Sequence, residues 1–116
     1  MMSLYKFLHS LFVPSIEEQA HRQALANFIY ESDIADERRI YTRIDKPFRG
    51  DCEDFAFTLQ IQIGGDVWYV LLPDGTAHAV LVLNGKCYDN RYKRPMSKSR
   101  YRGEFKHIMN TKQIRI

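Results

Sequence analysis

An α+β domain is predicted by three observations: apolar residues at helical spacing in two early segments, apolar β-forming runs in the second half, and an Asn84-Gly85 hairpin signal between two of them. Each element can be justified in chain order. Met1 to Pro14 mixes Leu4, Phe7, Leu8, Leu11, Phe12 and Val13 with Lys6, His9 and Ser10, a pattern expected of a short amphipathic helix closing the core. It lacks the unbroken apolar centre and small-residue cleavage site of a signal peptide. Ser15 and Glu18 form a capping box, and Ile16, Ala20, Ala24, Leu25, Phe28 and Ile29 follow at helical spacing. A helix over Ile16 to Tyr30 is expected.

Glu31 to Arg49 is charged and irregular and reads as a long connection, with one short helix around Ala35 to Ile40. From Asp51 onward, Cys52, Phe55, Ala56, Leu59 and Ile63 recur three and four residues apart, and Gly64-Gly65 ends that second helix. Val67 to Leu72 and Ala77 to Leu83 read as strands joined by a turn at Pro73-Asp74-Gly75. Asn84-Gly85 then returns the chain through Lys86 to Asp89. A basic loop from Arg91 to Gly103 precedes two short strands, Glu104 to Met109 and Lys112 to Ile116.

The 116 residues suffice for one domain and one core, and are too few for two. With 27% charged residues of both signs, 13% aromatic residues, 4 Pro and 6 Gly, the composition is not that of a disordered chain. No run approaches the ~20 apolar residues of a membrane span, so a cytoplasmic protein without a membrane partner is expected. Two cysteines make no disulfide framework and have no zinc-like spacing, and a buried structural pair of Cys52 and Cys87 is the alternative to a reactive Cys52. The net charge of +3 conceals an asymmetry: residues 1–85 carry 7 basic and 12 acidic side chains, and residues 86–116 carry 10 and 2. The last quarter of the chain is suited to an acidic partner.

Chemistry concentrates at Cys52. It opens a helix, where the dipole and unsatisfied amides favour a nucleophilic thiolate and could receive an oxyanion. In the hairpin register set by Asn84-Gly85, Leu83 pairs with Lys86, Val82 with Cys87, and Leu81 with Tyr88. His78, Val80 and Val82 then share a face with Cys87 and Asp89. Asp89 becomes the diagonal neighbour of His78, ~7 to 8 Å away between Cβ atoms and within hydrogen-bonding reach of its ring. The pattern supplies a nucleophile (Cys52), a general base (His78) and an orienting carboxylate (Asp89). Taken singly, each has a plain structural role as a core cysteine, a satisfied core histidine or a turn aspartate. The matching register favours the triad.

Gly50-Asp51-Cys52-Glu53-Asp54-Phe55, His78-Ala79-Val80-Leu81-Val82 and Asp89-Asn90 resemble the bacterial transglutaminase-like cysteine proteinases, over roughly residues 27–90. The resemblance implies a papain-like α+β core with the cysteine helix on an antiparallel sheet, and a triad of Cys52, His78 and Asp89. It also implies a hydrolase that cleaves a peptide or isopeptide amide through a thioester, with a protein or peptide substrate. Asp51, Glu53 and Asn90 stand beside the triad as supporting or oxyanion-side residues, and a further oxyanion donor is sought in residues 41–49. Some exported relatives bind calcium through acids beside the cysteine. Asp51 and Glu53 match that pattern, but helix-start acids favouring the dipole explain them equally well, and no cofactor is expected. This chain is close to a minimal core without an export signal, a size that resembles bacteriophage-borne members acting in the host cell.

Other readings use the same residues differently. A glutamine deamidase or transglutaminase shares the acylation step and differs in the second acceptor. A papain-like cell-wall amidopeptidase ranks lower, because Glu53-Asp54 follows the cysteine in place of Ser-Gly, and an aspartate replaces a second histidine. A non-catalytic module would use the basic tract 91–102, whose Arg91, Lys93, Arg94, Lys98, Arg100 and Arg102 alternate with Tyr92 and Tyr101. That tract suits docking of an acidic protein segment through Arg91, Lys93 and Arg94, or nucleic-acid phosphates and bases. Trp68 and Tyr69 are expected to pack in the sheet.

Overall fold

The computed structural model describes residues 14–32, 38–71, 75–102 and 107–110. In chain order it contains α1 (Ile16–Asn27), β1 (Phe28–Tyr30), β2 (Phe48–Gly50), α2 (Cys52–Ile63), β3 (Asp66–Leu71) and β4 (Ala77–Leu83). These are followed by β5 (Lys86–Tyr88), β6 (Met96–Ser97), α3 (Lys98–Arg102) and β7 (His107–Asn110). Five strands form an antiparallel sheet in the order β6-β5-β4-β3-β7, and β1 and β2 form a separate parallel pair. The α+β class is therefore observed.

Sheet pleating divides the core into two layers, because alternate residues of a strand face opposite sides. On one side, Val67, Ala79, Leu81 and Tyr88 pack with Phe55, Ala56 and Leu59 of α2 and Ala24 of α1. On the other, Val70, Val80 and Cys87 pack beneath Tyr101 of α3. The hairpin register is the expected one, with Leu81 opposite Tyr88, Val82 opposite Cys87 and Leu83 opposite Lys86. Asn84 and Gly85 both have positive φ, 51° and 75°, the conformation that selects Asn-Gly in such turns.

The elements depart from expectation in three segments. The first helix stops at Asn27 rather than Tyr30, because the Asn27 side-chain amide donates to the Ile44 carbonyl at 2.8 Å and the next residues pair with β2. The β-forming Phe28-Ile29-Tyr30 triplet gains more from this tertiary ladder than from one further helical turn. The Glu31 amide extends the ladder to the Gly50 carbonyl at 2.8 Å. In the segment taken as a basic loop, Met96–Ser97 adds an edge strand to β5 and Lys98–Arg102 forms a helical turn. Of the two final strands, His107–Asn110 pairs with β3, while 104–106 and 111–116 lie outside the described residues.

Outside them too lie the expected N-terminal helix, except Pro14, and 33–37 of the short helix near Ala35; its described residues, 38–40, are not helical. Residues 72–74 of the first turn are also outside. Both cysteines are free, so the paired alternative is not realised. Among the described residues, no helix is long and apolar enough to cross a membrane.

The approach to α2 is built around Gly50. Asp51 caps the helix, its Oδ1 accepting from the amides of Glu53 and Asp54 at 3.0 and 3.1 Å, and Asp54 reaches back to the Asp51 amide at 3.0 Å. This reciprocal capping box fixes where the helix begins and hence where Cys52 stands. A Cβ on Gly50 would lie 2.5 Å from both the Cβ and Oδ2 of Asp54, so only glycine admits the buried carboxylate there. Gly50→Ala is expected to cost about 1 to 3 kcal/mol in urea unfolding by overpacking the cap. An unchanged midpoint would count against this role.

Candidate functional site

Cys52 is the first residue of α2, and its sulfur reaches the beginning of β4. β5 ends at Tyr88, and beyond that point the β4 amide of Ala79 donates to Cys52 Sγ at 3.4 Å in place of a ladder bond. The amides of Glu53 and Asp54 are taken by Asp51 Oδ1, and that of Phe55 by the Asp51 carbonyl. Among the first-turn amides this leaves the N–H of Cys52, beside the thiol, available to a ligand.

His78 stands at the start of β4. Its Nε2 is 2.9 Å from Asp89 Oδ2, and the ring also hydrogen-bonds with Cys52. With Nε2 engaged by the carboxylate, Nδ1 is the nitrogen that serves the thiol. The structure thus brings together all three residues chosen from sequence, in the order sulfur, imidazole, carboxylate.

Asp89 is 1% exposed and heavily supported. Its Oδ2 accepts from Tyr101 Oη at 2.6 Å and Arg91 Nη2 at 3.0 Å, and its Oδ1 accepts from the Arg91 amide at 2.9 Å and Nε at 3.3 Å. Its backbone carbonyl accepts from His21 Nε2 at 2.9 Å. Burial works against the charge on Asp89, yet the bonds from His78, Arg91 and Tyr101 hold its carboxyl well below the usual range. Burial likewise opposes charge on His78, but its bonds to Asp89 and Cys52 prevail and raise its pKa to about 9. Burial and the neighbouring Asp89 charge push the Tyr101 phenol far upward, which keeps it a hydrogen-bond donor.

Three of these contributors escaped the sequence reading. His21 is fully buried between the rings of Phe55 and Tyr88, with its pKa lowered chiefly by burial, so its neutral ring donates through Nε2. Tyr101, one of the two tyrosines interleaved in the basic tract, is 0% exposed. The signal that could have found it is its isolation as a large aromatic between charged neighbours at helical spacing. Arg91, expected to dock a partner, also grips Asp89.

The supporting residues divide. Asp51 is the helix cap, and Glu53 pairs with Arg38 at 2.6 Å. Tyr69 packs against the core as expected and also stands beside that pair; burial and the Glu53 charge raise its phenol to about 12. Asn90 has a buried Oδ1 with no partner among the described residues. In the segment 41–49, Tyr41 Oη donates to the Arg49 carbonyl at 2.7 Å. Among the described residues no group of three or more His, Cys, Asp or Glu side chains, Asp51 and Glu53 included, is arranged to hold a metal. Comparison with protein-family models, curated proteins and solved structures gives no match.

Because the folded-state pKa of His78 lies above its ordinary 6.5, its stabilising contribution is complete below about 6.5 and drains away as pH rises through about 9. Asp89, with its pKa held down, contributes throughout that window and loses its contribution only in acid. Urea-unfolding free energy is expected to decline between pH 6.5 and about 9, and His78→Gln to flatten that slope. A slope unaltered by His78→Gln would refute the ion pair.

Proposed function

We propose that this chain is a cysteine hydrolase of the transglutaminase-like type, with a papain-like arrangement of helix and sheet, cleaving a peptide or isopeptide amide. The observation that carries this reading is the continuous chain of contacts from Cys52 Sγ through the His78 ring to Asp89, with the sulfur at a helix start.

In the reaction, Cys52 Sγ attacks the amide carbon, forming the C–S bond and moving the carbonyl electron pair onto oxygen. The Cys52 N–H is the donor closest in sequence to the resulting oxyanion. The thiol proton has already passed to His78 Nδ1 before the attack; below its pKa of about 9 the ring keeps it as imidazolium and passes it to the departing nitrogen as the C–N bond breaks. Asp89, fixed by Arg91 and Tyr101, orients the ring through Nε2 and stabilises the imidazolium. Water, deprotonated by His78, then attacks the thioester; the C–S bond breaks, the acid product leaves and the thiol is regenerated.

A glutamine deamidase or transamidase would use the same first half-reaction with glutamine as acyl donor. The two outcomes separate by product, since peptide hydrolysis creates new amino termini and the glutamine reactions release ammonia. Incubation with a mixed peptide library, followed by mass spectrometry and an ammonia assay, is expected to reveal new amino termini that disappear in Cys52→Ala. On the substrate so found, kcat/KM should fall on the alkaline side with a midpoint near the His78 pKa of about 9. Ammonia without new termini would transfer the assignment to deamidation, and neither product from any peptide would overturn the enzymatic reading.

A further inference from the structure

The turn after Asp89 carries charge that the catalytic residues do not use. Lys93 and Arg94 are exposed at its tip and line two adjoining grooves, each of about 440 Å³. One lies against α1 and is completed by Arg22, Leu25 and Ala26; the other runs toward α3 and includes Arg100.

Nearby cations are already neutralised or engaged: Lys86 faces Glu18 at 3.7 Å, Arg91 holds Asp89, and Lys98 lies over Trp68 at 4.2 Å. Arg22, Lys93, Arg94 and Arg100 form no ion pair with any described residue. Among the described residues these four charges are therefore unpaired: Arg22, Lys93 and Arg94 edge the groove floored by the aliphatic Leu25 and Ala26, and Arg100 edges the adjoining one.

We propose that this double groove docks a short acidic segment of a protein, with Asp or Glu side chains on the four cations and an apolar side chain against Leu25 and Ala26. Guanidinium groups take carboxylates in paired hydrogen bonds, and the aliphatic floor suits a peptide side chain.

Nucleic acid fits less well, because the aromatic faces needed for base stacking are occupied. The Tyr92 ring lies 5.1 Å from the Arg91 guanidinium and packs against the layer of Val80 and Cys87, and Tyr101 is wholly buried on Asp89. Both walls are tied to the candidate site: Arg22 follows His21, which bonds the Asp89 carbonyl, and Lys93 lies two residues beyond Arg91, which bonds the Asp89 carboxylate. That the docked protein is also the substrate rests on the hydrolase reading; the docking itself does not.

The test uses the full chain carrying Cys52→Ala, so that binding is read without turnover. Its failure would remove the groove while leaving the hydrolase to the cleavage assay. A fluorescein-labelled short peptide of Glu and Asp around two Leu is expected to raise anisotropy, with affinity falling about tenfold or more as salt rises from low to about 0.2 M. The Lys93→Glu/Arg94→Glu double variant should abolish binding. Arg22→Glu, on the opposite wall, should weaken it severalfold, with circular dichroism showing each variant folded. The same peptide with Gln and Asn in place of its acids should not bind. The proposal is overturned if the acidic peptide fails to bind, if the folded double variant retains full affinity, or if a single-stranded oligonucleotide binds more tightly at equal salt.

Discussion

A carboxylate shut away from water is costly unless donors surround it, and Asp89 is the place where this chain meets that requirement. Tyr101 comes from α3, His78 from β4 and Arg91 from the turn, while His21 of α1 holds the carbonyl of the same residue. Segments far apart in sequence are thus obliged to converge on one ionised group. The same bonds that satisfy Asp89 leave His78 with its second nitrogen directed to the sulfur. The bonds that support Asp89 and those that set the His78 ring against the sulfur are therefore one arrangement, and loosening any donor would disturb both.

The second constraint is the start of α2. Gly50 admits the Asp54 carboxylate, Asp51 and Asp54 cap each other's amides, and the thiol follows immediately. The motif Gly-Asp-Cys-Glu-Asp has a mechanical explanation residue by residue: close approach, cap, the thiol at the helix start, ion pair to Arg38, and return bond. The end of β5 at Tyr88 completes the site, because it releases the Ala79 amide toward the sulfur.

Much of this was legible in the sequence where the interactions are local. The capping residues, the two helices, the Asn84-Gly85 register and the approach of Asp89 to His78 all follow from spacing within short stretches. The parallel β1–β2 pair, β6 and the short α3 were not legible, since a three-residue strand or a five-residue charged helix has no periodicity and exists through its tertiary partners. The roles of Tyr101 and Arg91 were hidden for a related reason. In a tract so rich in Arg, Lys and Tyr, composition suggests a solvated surface, and only the fold reveals which members turn inward to Asp89.

The charge asymmetry acquires a structural meaning in the same way. Arg91 compensates the buried acid, whereas Lys93 and Arg94, close by on the turn, remain exposed to solvent. On this arrangement the dependence that matters most is that of His78 on Asp89 and, through His78, of Cys52 reactivity. The rate of Cys52 alkylation by iodoacetamide, followed by mass spectrometry from pH 5 to 10 in the native chain and in Asp89→Asn, tests it most directly. Cys52 is expected to label at least about tenfold faster than free cysteine near pH 6, and Asp89→Asn to remove that advantage. Superimposable rate profiles for the two proteins, or labelling confined to Cys87, would contradict it.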